Sequence, residues 1–341
     1  MGPDEVLGVG EATSTVATPR TGVGTRLLRQ LALNPVAGSL FTLLLFCAIF
    51  SATTHTFLTP NNLSLIVQQS VIVGALAVGE TLVILSAGID LANGAICVLG
   101  TIVAGKLVDA GYPALPCLLA AVALCTAVGA VAGLLVSRLR LPPFIVTLGL
   151  LGIVTAATRL ISQGGAFPVM DDLLAWSGNS LRIGSAPITY GTIILAGLYL
   201  LVWYMLTQTA WGTQVYALGN NPEAARLVGI PVRRRLLSIY SLAALIYGVA
   251  AWLALGRIPN ADPNALQTAN LDSITAVVIG GTSLFGGRGS LFGTLIGTLI
   301  VGVLRNGLTL EGIDPLWQDL VTGILVIAAV ALDQLTRRRR T

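Results

Sequence analysis

Long apolar runs separated by short polar interruptions dominate this chain. A helix that crosses a bilayer needs roughly 20 mostly apolar residues. Ten segments qualify as candidates. Seven are clear: 36–57, 63–86, 114–136, 143–162, 188–207, 236–256 and 316–333. Three more, 95–109, 271–285 and 291–307, are interrupted or bounded by Gly, and the first two are short. That pattern predicts tilted, broken or re-entrant helices. Broken backbone is tolerated at membrane depth only where protein or a water-filled cavity surrounds it. The fold class expected is an all-α polytopic membrane bundle of about ten transmembrane segments, some short or broken.

The basic residues orient this pattern, because Lys and Arg collect on the cytoplasmic side. With the N-terminus inside, the inner loops carry Arg138 and Arg140, Arg226 with Arg233, Arg234 and Arg235, Arg288, and the run Arg337 to Arg340. The outer stretches carry Asp171 and Asp172 against Arg182, and Asp262, Glu311 and Asp314 against Arg257 and Arg305. An even number of spans with both ends cytoplasmic is therefore expected, in a cell inner membrane. Residues 1–30, with Arg26 and Arg29, read as a flexible cytoplasmic tail rather than a signal peptide. Residues 31–335 form the membrane domain, interrupted by a long cytoplasmic loop at 209–235, and 336–341 form a basic tail.

Composition sharpens the class. Hydrophobic residues make up 55% and charged residues 10% of the 341, too few charges to cover a water-soluble surface. The 39 glycines fit membrane helices that approach closely. Cys47, Cys97, Cys117 and Cys125 each lie alone in an apolar run, and there is one histidine, His55. Neither a disulfide framework nor a metal site is expected.

Two segments carry candidate chemistry. Gly100 to Lys106 has the G-x-x-x-x-G-K spacing of a phosphate loop, but Leu107 follows where Ser or Thr is needed, and no strand–loop–helix unit surrounds it. Lys106 reads instead as a snorkelling residue, and this chain is expected to bind no nucleotide and no other cofactor. The loop 209–235 contains helix grammar. Asn221 can cap, Pro222 suits the first helical position, and Glu223 faces the positive end of the dipole. Ala224, Ala225 and Arg226 continue the helix, Gly229 stops it, and Pro231 prevents its resumption. An interfacial helix and a docking helix both fit these residues.

The run from Gly219 to Ile230, Gly-Asn-Asn-Pro-Glu-Ala-Ala-Arg-Leu-Val-Gly-Ile, resembles the coupling loop of ribose-type ABC importer permeases. Three further segments resemble the same family in the same order: Gly88 to Gly94, Pro142 to Gly149, and Ile279 to Ser290. The similarity covers about residues 35–335. It implies a permease subunit that works beside a second permease copy, a separate ABC ATPase and a periplasmic or lipid-anchored sugar-binding protein, with ribose, galactose, xylose or arabinose-like substrates and no nucleic acid. The ATPase-coupling residues it implies are Asn221, Pro222, Glu223, Ala224, Ala225, Arg226 and Gly229. Two departures stand out. The likeness of Glu223-Ala-Ala…Gly229 to the EAA loop of another importer class lacks its later proline, with Ile239 and Tyr240 in that region. Family members also usually have Ser-Val where this chain has Ala92-Asn93.

Polar groups inside the spans are candidates for the translocation path, since such groups usually face the bundle interior or water. Gln68, Gln69 and Ser70 form a polar cluster suited to a neutral sugar or to helix–helix contact. Gly88, Asp90, Asn93, Gly281, Gly286 and Gly287 stand at turns where helices break near that path. Glu80, Arg159 and Asp272 are further ionisable groups in or beside spans. A shift of 193 residues matches Gly88, Leu91, Gly94, Gly100 and Thr101 with Gly281, Leu284, Gly287, Gly293 and Thr294, an echo of the kind transporters carry. Two rivals remain open on residues alone. An ion-coupled secondary carrier for a small polar solute predicts paired acids at one depth, and a membrane-embedded enzyme predicts a His, Asp or Ser cluster. No catalytic residue is assigned.

Overall fold

A computed structural model of the chain describes residues 35–184 and 186–338. The expected tail 1–30, and Arg339 and Arg340 of the basic tail, lie outside the described residues. The helices are α1 (Pro35–Thr53), α2 (Pro60–Leu85), α3 (Asn93–Asp109), α4 (Ala114–Arg138), α5 (Pro143–Ser162), the single turn α6 (Asp172–Ala175), α7 (Tyr190–Gln208), α8 (Ala210–Asn220), α9 (Pro222–Leu227), α10 (Val232–Arg257), α11 (Ala269–Ile279), α12 (Leu291–Leu310) and α13 (Pro315–Arg338). Proline opens five of them, where its missing N–H costs no hydrogen bond and its fixed φ is already helical. Each of the ten apolar segments contains a helix, and seven helices among the described residues are long and apolar enough to cross a membrane. The architecture is an all-α membrane bundle.

The centre of the bundle is α2, α10 and α12. From Ser70 to Leu85 almost every residue of α2 is buried, whereas α1, α4, α5 and α7 turn apolar side chains outward: Leu44, Leu119, Ile153 and Leu200 are 60%, 60%, 65% and 66% exposed. An apolar surface of that extent suits lipid and not water. The longest helix contact pairs α4 with α10. It is built on Gly129 and Gly133, spaced as small-xxx-small. A Cβ on Gly129 would meet Ala244 Cβ at 2.3 Å and Tyr240 O at 2.5 Å, and one on Gly133 would meet Leu237 Cα at 2.9 Å.

The structure departs from the sequence reading in four places. The span expected over 271–285 stops at Ile279, because Gly281 takes φ +88°, a conformation that Gly adopts at little cost and that ends a helix. The loop 209–235 holds a second helix, α8, with Val215, Leu218 and Gly219 buried. The stretch 163–187 forms a β-hairpin of β2 (Ser180–Ile183) and β3 (Ala186–Thr189), and β1 (Phe167–Pro168) pairs antiparallel with β4 (Asn260–Ala261). The basic tail read from 336 is helical through Arg338.

Candidate functional site

The short helix α9 forms as its residues dictate. Asn221 is extended, at φ −158°, and its Oδ1 accepts from the backbone N–H of Glu223 and Ala224 at 3.0 Å each. Pro222 follows at the first helical position. Gly229, at φ +83°, reverses the chain, and the N–H of Ile230 closes on Ala225 O at 3.0 Å. Ala225 is buried beneath the helix, while Glu223, Ala224 and Arg226 are exposed. Leu227 and Val228 project outward at 87% and 76% exposure. They are two adjacent apolar side chains at the end of a helix with charged flanks.

Beneath α9, three of the sequence motifs meet. Gly219 ends α8 against the end of α2: a Cβ there would lie 1.8 Å from Leu85 O and 2.6 Å from Gly287 N. The N–H of Gly287 donates to Leu85 O at 2.9 Å. Gly286 and Gly287 both take positive φ, +82° and +69°, and pack on Ala87 and Asn220 respectively. The hydroxyl of Tyr216, on α8, donates to Gly289 O at 3.1 Å. The fourth motif joins through α5, where Thr147 Oγ1 donates to Ile89 O at 2.9 Å. Segments far apart in sequence thus share one junction. The two members of the 193-residue echo are both helix–turn–helix units, α2–α3 and α11–α12, and their turns touch here.

The turn from α2 to α3 is organised by a buried carboxylate that the sequence reading left outside the site. Glu80 is fully buried. Its Oε1 accepts from the Asp90 backbone N–H and its Oε2 from Asn93 Nδ2, both at 3.1 Å. Asn93 Nδ2 also donates to Ser273 Oγ of α11 at 2.8 Å, and Asp90 Oδ1 accepts from Ala92 N–H at 2.9 Å. The left-handed residue in this turn is Ala87, at φ +63°, and not Gly88. Gly88 is needed for closeness, since its Cβ would sit 2.5 Å from the Tyr240 hydroxyl. Tyr247, whose ring packs on Gly79 of α2, and Ser273 are missing from the sequence reading, which named Tyr240 only as standing where another importer class carries a proline. Only a pattern of polar residues across three distant helices would have signalled them.

The remaining candidates do not gather around one surface. Gln68 Nε2 donates to Ser64 Oγ at 2.9 Å and to Pro187 O at 3.0 Å, tying α2 to the hairpin at the end opposite α9. Ser70 is buried against α12, where a Cβ on Gly302 would lie 2.1 Å from its Oγ, and its hydroxyl donates to Ile66 O at 2.8 Å. Gln68 thus joins two elements, while Ser70 bonds within α2 and packs on α12. Gln69 is half-buried beside them. Gly281 lies in the turn after α11, with Gly286 and Gly287. The phosphate-loop-like run Gly100–Lys106 lies wholly inside α3, so it offers no loop of amides to a phosphate. Lys106 rests over the Phe167 ring at 4.5 Å. The four cysteines are free thiols.

Arg305 of α12 makes the ion pairs found among the described residues. Its guanidinium reaches Asp272 at 2.9 Å and Asp319 at 3.0 Å, and donates to Thr268 Oγ1 at 3.2 Å, so it links α11, α12 and α13.

Known proteins resemble this chain over most of its length. Residues 62–330 match the family described as branched-chain amino acid transport system / permease component. The fructose import permease protein of Rhizobium meliloti is 46% identical over 89% of this chain and 87% of its own length. The ribose import permease protein of Escherichia coli K12 is 40% identical, covering 86% and 92%. The galactose/methyl galactoside import permease protein of Haemophilus influenzae is 33% identical, covering 86% and 93%. No solved structure matches the chain.

Proposed function

The chain belongs to the sugar-importing ABC permeases, and from that premise we propose that it forms the membrane path of an ATP-driven monosaccharide importer working by alternating access. The observation that carries this reading is α9, a capped helix whose Leu227 and Val228 point outward and whose base is the junction of the family-like motifs. An ATPase on a separate chain would grip α9 through Leu227, Val228 and the flanking Glu223 and Arg226. Closure of that ATPase around ATP would displace α9, and with it the turns at Leu85–Gly88 and Gly286–Gly289. A sugar-binding protein would dock at the opposite end, and a second permease copy, most simply an identical one, would complete the bundle. Ten spans with both termini cytoplasmic remain the arrangement proposed from the distribution of Lys and Arg.

The substrate proposed is a pentose or hexose. Relatives named for fructose, ribose, allose and galactose support the class, and fructose now joins the sugars to be tried first. An ion-coupled carrier acting alone is not favoured, because those relatives are import permeases of transport systems. The test is Glu223→Lys in the complex reconstituted with its ATPase and binding protein. The site is exposed, so the protein is expected to insert and fold. Sugar-dependent ATP hydrolysis is expected to fall at least tenfold. Unchanged hydrolysis would sink the docking role of α9.

A further inference from the structure

The helix α11 has 11 residues, about 16 Å at 1.5 Å per residue, roughly half of a 30 Å hydrocarbon core. Its C-terminal end lies in the turn packed on Leu85, beneath α9. Its first turn is therefore near mid-depth. The first turn of α3 meets it there: Asn93 Nδ2 donates to Ser273 Oγ at 2.8 Å, and Asn270 Nδ2 donates to Leu91 O at 3.2 Å. Between Arg257, which ends α10, and Ala269 the chain must descend from the far end of the bundle to that depth without a helix. Irregular backbone at such depth stands only where protein buries it or water reaches it.

Water has room to reach it. A cavity of about 280 Å³ opens between this descending segment, the first turn of α3 and the second half of α5. Its polar lining is Thr155, Thr158, Arg159, Gln267 and Asn270, with the Gly94 backbone at its floor. Among the described residues, the Thr155 hydroxyl and the Gln267 amide make no hydrogen bond within the protein, and Arg159 donates only to Asn264 Oδ1, at 3.2 Å. Hydroxyl, amide and guanidinium groups with unused capacity suit a ligand that presents many hydroxyls. No carboxylate lines the cavity, which disfavours a cation. Ligand pockets run from roughly 300 to 1,000 Å³, so this one holds a single small molecule.

We propose that this cavity is a resting site for one neutral monosaccharide in transit, with Thr155, Arg159, Gln267 and Asn270 exchanging hydrogen bonds with its hydroxyls. The site rests on the importer reading above and adds to it the residues that touch substrate. It also accounts for Arg159, a charge within a span that the coupling machinery does not use.

The test uses Thr155→Cys and Ile153→Cys, each in a Cys47→Ala background, in the full complex with its ATPase and binding protein in proteoliposomes. The two positions lie on different faces of α5, and Ile153 is 65% exposed on the apolar surface. A charged, water-soluble thiol reagent needs thiolate and water. Thr155→Cys is expected to react at least tenfold faster than Ile153→Cys. Attachment of the reagent at residue 155 is expected to lower uptake of radiolabelled fructose or ribose at least tenfold relative to the unreacted variant. Equal reaction rates would mean that the cavity is filled by lipid or a partner and would overturn the proposal. So would unimpaired uptake by fully labelled Thr155→Cys. Failure of the importer reading looks different: the unmodified complex then takes up none of fructose, ribose, allose, galactose, xylose or arabinose with ATP, and the resting site falls with it.

Discussion

Gly219→Ala puts a single methyl group into the junction beneath α9. Its Cβ would lie 1.8 Å from Leu85 O, where ordinary contact begins at 3.4 Å, so the two backbones must part by about 1.6 Å. The neighbour is a carbonyl and not a flexible side-chain tip, so the strain cannot relax by rotation. The separation also breaks the 2.9 Å bond from Gly287 N–H to Leu85 O. Overpacking costs about 1–3 kcal/mol and a lost hydrogen bond about 1 kcal/mol. Against this, Gly→Ala within a helix gains about 1 kcal/mol. The net expectation is a loss of about 1–3 kcal/mol localised at the junction. At 1.4 kcal/mol per decade, that means roughly fivefold to hundredfold faster exchange of the amides in the 285–290 turn. Hydrogen–deuterium exchange of the permease in nanodiscs, read by mass spectrometry, measures it. Gly197→Ala in α7 is the control, since a Cβ there meets nothing within 4 Å, and it should exchange as the parent does. If Gly219→Ala leaves exchange in that turn unchanged while the protein folds, the close approach inferred here is wrong.

Two other changes probe the interior. Arg305→Ala leaves the buried Asp272 without its partner, and because Arg305 itself is partly exposed the loss is expected at about 1–3 kcal/mol. Thermal unfolding of the detergent-solubilised permease should show the loss, and Arg305→Ala with Asp272→Asn should recover part of it; no recovery would argue against the pair. Asn93→Val removes the donor shared by Glu80 and Ser273 and should cost about 1.5–3 kcal/mol, the penalty of an unmet bond to a buried charged or polar group; an unchanged midpoint would mean that Glu80 holds the turn without it.

Much of the bundle was legible because membrane helices announce themselves by length and apolarity, and the capped helix at 221–229 because its cap, proline and terminal glycine act within a few residues of one another. What escaped was set by contacts across the chain. The segment 271–285 is apolar throughout enough of its length to read as one span, yet the turn at Gly281 follows from the close packing of α11 on α12, where a Cβ on Gly297 would lie 1.8 Å from Ala276 O. The helix α8 lacked the length of a span, and its burial depends on the turns that receive it. Glu80 read only as one more ionisable group in or beside a span, because its partners Asp90 and Asn93 are met only after the chain reverses. Gln68 and Ser70 left a path role and a helix-contact role both open, and the partners they meet, Pro187 O of the hairpin and Gly302 of α12, lie far away in sequence.

The same reversals explain how a motion outside the membrane would reach the sugar. The helix α9 is held to the bundle by backbone contacts of Gly219 and Asn220, and these leave little slack. Leu85, Gly286 and Gly287 sit directly on them, and Ala87 packs on Gly286. From Leu85 the chain runs seven residues to Asn93 and the start of α3; from Gly280 back along α11 lie Ser273 and Asn270. Those two helix starts are bonded to each other through Asn93 and Ser273, and together they border the cavity lined by Thr155 and Arg159. A displacement of α9 by even a fraction of the 1.6 Å that one methyl group would demand must move both turns, because close-packed interiors transmit strain instead of absorbing it. The turns carry the first turns of α3 and α11 with them. The cavity wall is therefore built from the parts on which α9 rests, so under the coupling role proposed for α9 an opening at one depth would be linked to docking at the other.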